Sequence, residues 1–202
     1  TPVFKIYNEI TDDYVPPGQG FLVNVKNSGL ITITHNMKVH ANGSLLKSAD
    51  LSWRSFTLVA SYKGKLLGAG IGYHPDMTLG LDKGYDAGLL ESGGEFELFT
   101  RLADGKSSTD FAIQSLPSSA LEEASIPVGL DVPAGGEITF SVVNNKMGSA
   151  YPPVLEDRLL KIETVFVTQG DTYKATVPAG TYGTGRFYLK AGKTTSVNNF
   201  VK

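Results

Sequence analysis

The sequence predicts an all-β protein, and we expect two tandem antiparallel β-sandwiches, a jelly-roll-like one followed by an Ig-like one. Three observations predict this class. Apolar and polar residues alternate with a period of two along many short segments. The 23 glycines and 10 prolines, out of 202 residues, supply frequent turn signals between these segments. Helical periodicity is nearly absent, and only Ser118–Ala124, which starts with a serine pair, predicts one helical turn.

The predicted strands follow one another along the whole chain. The N-terminal Thr1–Tyr7 has the pattern of a strand interior. A hairpin is predicted next, because Phe21–Val25 and Leu30–Thr34 are β-rich and are separated by Asn27-Ser28-Gly29. The later strands are predicted at Trp53–Ala60, Leu66–Tyr73, Glu95–Arg101, Thr109–Ser115, Ile126–Val132, Glu137–Asn144, Leu159–Thr168, Thr172–Val177 and Arg186–Lys190. Short strands at this spacing are typical of sandwiches and barrels.

A domain boundary is predicted near Leu116-Pro117, where Pro117-Ser118-Ser119 interrupts the strand pattern. We therefore expect the first sandwich at 1–116 and the second at 117–192. Residues 193–202 are interpreted as a linker or the start of a further module. One continuous sandwich is the alternative, because such loops also occur within domains.

Composition excludes several classes of function. The chain has no cysteine, which excludes disulfides, thiolate zinc sites, iron–sulfur clusters and a cysteine nucleophile. A net charge of -2 predicts no general attraction to nucleic acid or membranes. No apolar run reaches the roughly 18 residues of a membrane-spanning helix. The N-terminus lacks the features of a signal peptide, so we expect a mature or excised piece of a longer protein.

Catalytic patterns are weak. The nucleophile elbow G-x-S-x-G does not occur. His35 and His40 are five residues apart, so on one strand they would point to opposite faces, and His74 lies beside Pro75 at a strand end. All three are interpreted as solvated or loop-anchoring histidines, and no enzymatic activity is expected.

Paired carboxylates are the other catalytic possibility. Glu95 and Glu97 would share one strand face, as the acids of a β-sandwich glycanase do. The alternative is a solvated outer face, with Phe96 and Leu98 supplying the buried one. Glu156-Asp157-Arg158 is interpreted as a charged turn or a local ion pair.

The glycines between Gly68 and Gly72 do not fit a phosphate-binding loop, because Tyr73 occupies the position of the last glycine of G-x-G-x-x-G. They are predicted to let a neighbouring backbone or ring pack closely against a strand. Basic residues are scattered, so nucleic-acid binding is not expected.

Residues 74–95 form the longest segment without a strand pattern. Asp76, Asp82 and Asp86 lie within eleven residues, and oxygen ligands on a curled loop are what calcium prefers. The three aspartates are therefore a candidate calcium site, although Lys83 places a positive charge among them. The alternatives are that Asp82 and Asp86 bond to loop amides as Asx turns do, or that they contact a substrate.

Aromatic residues offer two interpretations. Trp53, the single tryptophan, lies in an alternating strand and is predicted to pack in the core. Five tyrosines lie at strand ends or in loops, where exposed rings could stack on sugars in a carbohydrate-binding module or pack in the ordinary way. They are Tyr62, Tyr73, Tyr85, Tyr151 and Tyr182.

Four segments together resemble a known group of sequences. Pro17-Gly18-Gln19-Gly20-Phe21 is similar to a "pGQGFfV" segment, and Thr78–Gly88 is similar to "T-x-G-x-D-x-G-Y-D-A". Val154–Leu159 resembles "vyLeDr-t". Asp171-Thr172-Tyr173, followed by Gly185–Leu189, resembles "s-Y-t-F…dRF-L", with Gly185 where that pattern has an aspartate. The group is the C-terminal β-sandwich region of Bacteroidota type IX secretion cargo proteins.

This resemblance implies a secreted or cell-surface protein, with residues 193–202 at the start of a truncated sorting domain. Its partners would be the type IX secretion machinery or cell-surface components, and polysaccharide is a further possible partner. The group has no agreed catalytic residues to carry over. The first hypothesis is a non-catalytic extracellular module for adhesion, spacing or cargo presentation. The alternatives are a carbohydrate-binding module and a glycanase that uses Glu95 and Glu97.

Overall fold

The structure, a computed structural model, describes residues 4–6, 23–25, 30, 32, 34, 35, 53–82, 85–90 and 94–192. The chain divides into two compact units. The first comprises Thr1–Ser52 with Lys83–Tyr85, and the second comprises Trp53–Asp82 with Asp86–Lys202. No helix in the described part of the chain is long and apolar enough to cross a bilayer.

The first unit contains an antiparallel strand pair, β1 (Phe4–Ile6) and β2 (Val23–Val25), in which Phe4 lies opposite Val25. The predicted N-terminal strand is thus present. β2 pairs with β1, and the other predicted strand of the hairpin, Leu30–Thr34, lies partly outside the described residues.

The second unit contains one sheet of eleven strands. The strands are β3 (Arg54–Tyr62), β4 (Lys65–His74), β5 (Ala87–Gly88), β6 (Glu97–Thr100), β7 (Phe111–Pro117), β8 (Ile126–Val132), β9 (Gly136–Val143), β10 (Pro153–Asp157), β11 (Ile162–Val165), β12 (Thr172–Val177) and β13 (Thr181–Ala191). Their order is β11-β10-β13-β8-β6-β7-β4-β3-β9-β12, and β5 pairs with β7. The all-β prediction is confirmed.

The sheet is nearly closed. Its neighbouring strands are antiparallel except β4 and β7, which run parallel with Gly70 opposite Ile113. The two ends of the sheet approach each other across the core. The rings of Phe140 on β9 and Phe187 on β13 have centroids 5.0 Å apart. The Tyr173 hydroxyl on β12 donates to Asp157 of β10 at 2.7 Å.

Alternation along the strands builds the core. On β3, every second residue from Phe56 to Tyr62 is buried, and on β8 the same holds for Ile126, Val128, Leu130 and Val132. Because neighbouring side chains on a strand point to opposite faces, this pattern places one face of the sheet in a common core. The cluster of buried apolar residues runs from β3 to β13.

The predicted boundary at Leu116-Pro117 falls at the end of β7, just before a 3-10 turn at Ser118–Ala120. Strands before and after this point belong to the same sheet and the same apolar cluster. Two tandem sandwiches are therefore not confirmed. A single core shared by the strands of 53–192 is what one continuous sandwich, the alternative, would have. Residues 193–202 lie outside the described residues.

Two glycines let aromatic rings lie on the sheet. A Cβ atom at Gly72 would lie 3.1 Å from the Trp53 ring, and one at Gly129 would lie 2.0 Å from the Phe99 ring. The predicted role of Gly72 is thus confirmed. Trp53, however, is half-buried outside the core cluster and stacks on His74 with ring centroids 4.7 Å apart. The prediction that Trp53 packs in the core is wrong, because the tryptophan lies on the other face of the sheet.

Candidate functional site

Asp82 and Asp86 organise the loop between β4 and β5. Asp82 accepts hydrogen bonds from the amide of Thr78 at 2.7 Å and from its hydroxyl at 3.0 Å. Asp86 accepts from the amide of Asp82 at 2.7 Å and from the amide of Ser115 on β7 at 2.6 Å. These contacts form a chain of Asx-type bonds that ties the loop to the sheet.

Asp86 is the buried member of this chain, with 6% of its surface exposed. Burial raises the pKa of Asp86 to about 6, and the two amide donors act in the opposite direction. The carboxyl therefore titrates close to physiological pH.

Asp76 has different partners from the other two aspartates. Its side chain is exposed, and its Oδ2 lies 3.6 Å from Nδ1 of His74. No group of three or more histidine, aspartate or glutamate residues is placed to hold a metal ion in the part of the chain that the structure describes. Calcium binding by Asp76, Asp82 and Asp86 stays a prediction, and the bonds of Asp82 and Asp86 favour the alternative in which they hold the loop's shape.

The two candidate catalytic glutamates have different surroundings. Glu95 is exposed in the bend before β6, whereas Glu97 is buried on β6 opposite Asp131 of β8. Glu97 therefore does not lie on a freely solvated face. Of the histidines, His35 is exposed, His74 is half-buried beneath Trp53, and His40 lies outside the described residues.

A buried, extensively hydrogen-bonded polar cluster joins Asp157, Tyr173 and Arg186. Asp157 is fully buried on β10 and accepts from Nε of Arg186 at 3.0 Å and from its Nη2 at 2.7 Å. It also accepts from the Tyr173 hydroxyl and from the amides of Leu159 and Leu160. Nη1 of Arg186 donates to the carbonyl of Thr176 on β12 at 2.8 Å.

The titration of this cluster follows from its bonds. Burial alone would raise the pKa of Asp157, but the hydrogen bonds from Arg186, Tyr173 and the Leu160 amide outweigh it and hold the pKa below its usual range. Burial, together with the bond to Asp157, raises the pKa of Tyr173 to about 12. At neutral pH the cluster holds a carboxylate, a guanidinium and a neutral phenol.

Sequence reasoning missed this cluster. It assigned Asp157 to a charged turn or a local ion pair, whereas Asp157 binds an arginine 29 residues away. Arg158 does make the local pair, with Glu156 at 3.2 Å. The available signal was that the Leu155–Asp157, Tyr173 and Arg186-Phe187 segments all belong to the resemblance described above.

The tyrosines divide into buried and exposed rings. Tyr62 and Tyr73 are each 2% exposed. Cζ of Arg54 lies over the Tyr151 ring, 5.0 Å from the ring centroid. Tyr85 is 50% exposed and Tyr182 is 64% exposed. Tyr182 is therefore the best placed of these rings in the second unit to stack on a ligand.

A cleft of about 290 Å³ lies between the end of β9 and the segment after β11. Its lining residues are uncharged, and they are Val142, Val143, Asn144, Asn145, Phe166, Val167, Thr168 and Gln169. None of these residues was singled out from the sequence, since the two segments are separated by twenty residues and meet only in the folded sheet.

Comparison with known proteins identifies no relative. No protein-family model, no curated protein and no solved structure matches the chain. Function therefore has to be argued from the residues and their geometry.

Proposed function

We propose that the chain is a non-catalytic extracellular module of a type IX secreted protein, acting in adhesion, spacing or cargo presentation. The observation that supports this proposal is the Asp157–Tyr173–Arg186 cluster. The segments that supply it, in β10, β12 and β13, are those whose sequences resemble the C-terminal regions of type IX cargo proteins. Polar residues from these three separate segments meet in one buried cluster, which supports the resemblance.

The surroundings of the candidate catalytic residues also support a non-catalytic role. Glu97 is buried and Glu95 is exposed, which differs from two acids lining one cleft. His74 is stacked against Trp53 and interacts with Asp76. These contacts are those of packing and loop anchoring.

The finer architecture has two candidate forms, two tandem sandwiches and one continuous sandwich. The strand and turn pattern predicts a jelly-roll-like sandwich over 1–116 and an Ig-like sandwich over 117–192. Within the second range, β12–β9 and β11–β10–β13–β8 supply strand sets of the kind that an Ig-like sandwich uses. The hydrogen bonds of β9 to β3 and of β8 to β6 favour the alternative of one continuous sandwich.

Cell fractionation tests the proposed location. In the organism that makes the protein, an antibody against the chain should detect it at the cell surface or in the medium. A strain without the type IX translocon should retain it inside the cell envelope. An unchanged location in that strain would exclude the secretion route.

An activity survey tests the non-catalytic part. The purified chain should release no sugar or peptide from a panel of polysaccharides and proteins. If hydrolysis occurs, Glu97→Gln decides between the chain and a contaminant, and loss of hydrolysis in that variant would establish the glycanase alternative.

A carbohydrate-binding module is the second candidate, favoured by the exposed ring of Tyr182. An exposed tyrosine face can stack on the apolar face of a sugar. Affinity electrophoresis through gels that contain single polysaccharides should retard the chain on at least one of them. Tyr182→Ala should abolish the retardation if this ring carries the contact, and no retardation on any polysaccharide would exclude the candidate.

A further inference from the structure

The cleft beside the end of β9 has two walls that are each held in place by their own hydrogen bonds. In the first wall, Asn144 has the left-handed backbone conformation, with φ of 51°. The amide of Lys146 donates to the carbonyl of Ser55 at 2.7 Å. The amide of Met147 donates to Oδ1 of Asn145 at 3.1 Å. This wall is thereby fastened to β3.

The second wall is built around Asp171. Its Oδ2 accepts from the amides of Val167 at 2.8 Å and Thr168 at 2.7 Å, and its Oδ1 accepts from the Thr168 hydroxyl at 2.9 Å. The Asp171 amide in turn donates to the carbonyl of Thr168 at 3.2 Å. A site whose walls are fixed before binding loses less conformational entropy when a ligand enters.

The lining combines an apolar interior with polar edges. Phe166 and Val142 are 1% and 7% exposed, so they lie deep beside the cleft. Asn144 and Gln169 are exposed, and within the described residues no hydrogen bond engages their side-chain amides. Each amide carries both a donor and an acceptor.

This chemistry suits a neutral ligand with adjacent hydroxyl groups. A hydroxyl also donates and accepts, so a primary amide can bind it in either sense. No charged residue lines the cleft, which gives no partner for a phosphate, a carboxylate or an ammonium group. The volume of about 290 Å³ lies at the lower end of the roughly 300–1,000 Å³ usual for small-molecule sites, which suits one sugar ring.

We propose that this cleft binds a single neutral sugar residue, either a free monosaccharide or the end of a glycan chain, through Asn144 and Gln169. The proposal rests on the second candidate function and assigns it a site away from Tyr182. It differs from an aromatic platform because recognition would come from amide hydrogen bonds.

Nuclear magnetic resonance on the ¹⁵N-labelled 202-residue chain tests the proposal. Glucose, galactose, mannose, xylose and N-acetylglucosamine are each titrated to about 50 mM, because a site with a few hydrogen bonds binds in the millimolar range. At least one sugar should shift the side-chain amide signals of Asn144 and Gln169 and the backbone signals of 166–169.

Two substitutions locate the contact. Gln169→Ala removes one amide, and Asn144→Asp keeps a side chain that tolerates the left-handed conformation while it removes the donor. Each should weaken binding by about threefold to tenfold, the loss expected for one hydrogen bond. Leu66→Ala, at an exposed residue of β4 outside the cleft, is the control and should leave the affinity unchanged. Thermal unfolding should be the same for all four proteins.

The remaining outcomes overturn the proposal. If no sugar shifts the cleft signals, or if both cleft variants bind as the parent chain does, the site is not a sugar site. If Tyr182→Ala alone removes binding, the carbohydrate candidate survives on the tyrosine surface and the cleft proposal fails.

Discussion

At the scale of single residues, Tyr73 has an unusual position. Its hydroxyl is buried in the core, and among the described residues it is the buried side-chain polar group without a hydrogen-bond partner. Burial also raises the pKa of Tyr73, so the ring is neutral at any physiological pH. A buried hydroxyl without a partner carries an uncompensated desolvation cost.

Tyr73→Phe should therefore leave the free energy of unfolding unchanged or raise it by about 1 kcal/mol, as measured by urea denaturation. Tyr62→Phe is the matched control, because the Tyr62 hydroxyl donates to the carbonyl of Gly135 at 2.8 Å. That variant should lose about 1 kcal/mol. A loss in Tyr73→Phe as large as in Tyr62→Phe would show that the Tyr73 hydroxyl has a partner in solution.

Asp86 should make stability depend on pH. Its pKa is raised to about 6 in the folded chain from 3.8 for an unperturbed group, so the folded state holds the proton more tightly. The stabilisation is complete below about pH 4 and is lost as the pH rises through about 6. The free energy of unfolding should fall by about 2 kcal/mol between about pH 4.5 and 7.5 on account of this group.

Asp86→Asn removes this titration and serves as the control. The difference between the two proteins in urea denaturation, measured across the pH range, isolates the contribution of Asp86. The free energy of unfolding of the parent chain minus that of Asp86→Asn should fall as the pH rises. If this difference is constant from about pH 4 to 8, or grows with pH, the carboxyl has no raised pKa.

Single-residue expectations from sequence succeeded where the cause is local. Asp82 and Asp86 bond to nearby loop amides, as short acidic side chains near glycines commonly do. Trp53 was misplaced, because the ring lies over Gly72 of the neighbouring strand and the face that a strand buries depends on that pairing. The burial of Glu97 depends in the same way on β8.

At the scale of elements, the Asp157–Tyr173–Arg186 cluster links three strands that lie near opposite ends of the sheet order. Arg186→Met should destabilise the chain by about 3–5 kcal/mol, because it leaves the fully buried Asp157 carboxylate without its cation. Thermal or urea unfolding measures the loss. Lys174→Met is the control, since Lys174 pairs with Glu137 at the surface and should cost less than about 1 kcal/mol.

The stability contributed by Asp157 depends on pH in the opposite direction to that of Asp86. The pKa of Asp157 is lowered, so its stabilising contribution is present at neutral pH and is lost as the pH falls below about 4.

Equal losses of stability in Arg186→Met and Lys174→Met would mean that the buried ion pair contributes no more than the exposed one.

The loop with Asp82 and Asp86 provides a test for calcium. Asp82 and Asp86 already accept four hydrogen bonds from amide and hydroxyl donors of the chain itself. We therefore expect the same melting temperature in 5 mM calcium, a concentration on the order of the weakest extracellular sites, as in chelator. A rise of several degrees that Asp82→Asn removes would establish the calcium site instead.

Strands with clear alternation were placed well from sequence, and β8 and β12 have the predicted bounds. β10 was not predicted as a strand, and two prolines, Pro152 and Pro153, stand at its start. Pro153 is the first residue of β10, a position where the missing amide proton is tolerated. The predicted strand Leu159–Thr168 instead includes the turn at Lys161, whose φ is 56°.

At the scale of the whole molecule, the class of fold was predictable and the pairing of its strands was not. Alternation reports that a strand has one buried face, but it carries no information on which strand lies beside it. The ladders of β3 with β9 and of β8 with β6 join segments far apart in sequence. The segment Pro117-Ser118-Ser119, at the end of β7 and the start of the following turn, fits both a domain boundary and a turn within one domain, because both are made of turn-forming residues.

Expression of two overlapping pieces of the chain, 117–192 and 53–192, tests the domain prediction. Residues 117–192 alone should fail to fold cooperatively, because β8 loses β6, β9 loses β3, and the apolar residues of β3 no longer cover the core. Residues 53–192 should show cooperative unfolding by circular dichroism and dispersed amide signals. A cooperative transition in 117–192 alone would establish two tandem sandwiches.

The position of β13 has a mechanical consequence. This strand is hydrogen-bonded to β10 on one side and to β8 on the other, and the chain leaves it at Gly192. A pull on the following residues along the strand axis would load both ladders in shear, so that many hydrogen bonds resist together. A terminal edge strand would instead peel away from a single neighbour. The end of β13 is thus a point of the sheet at which two ladders resist tension together.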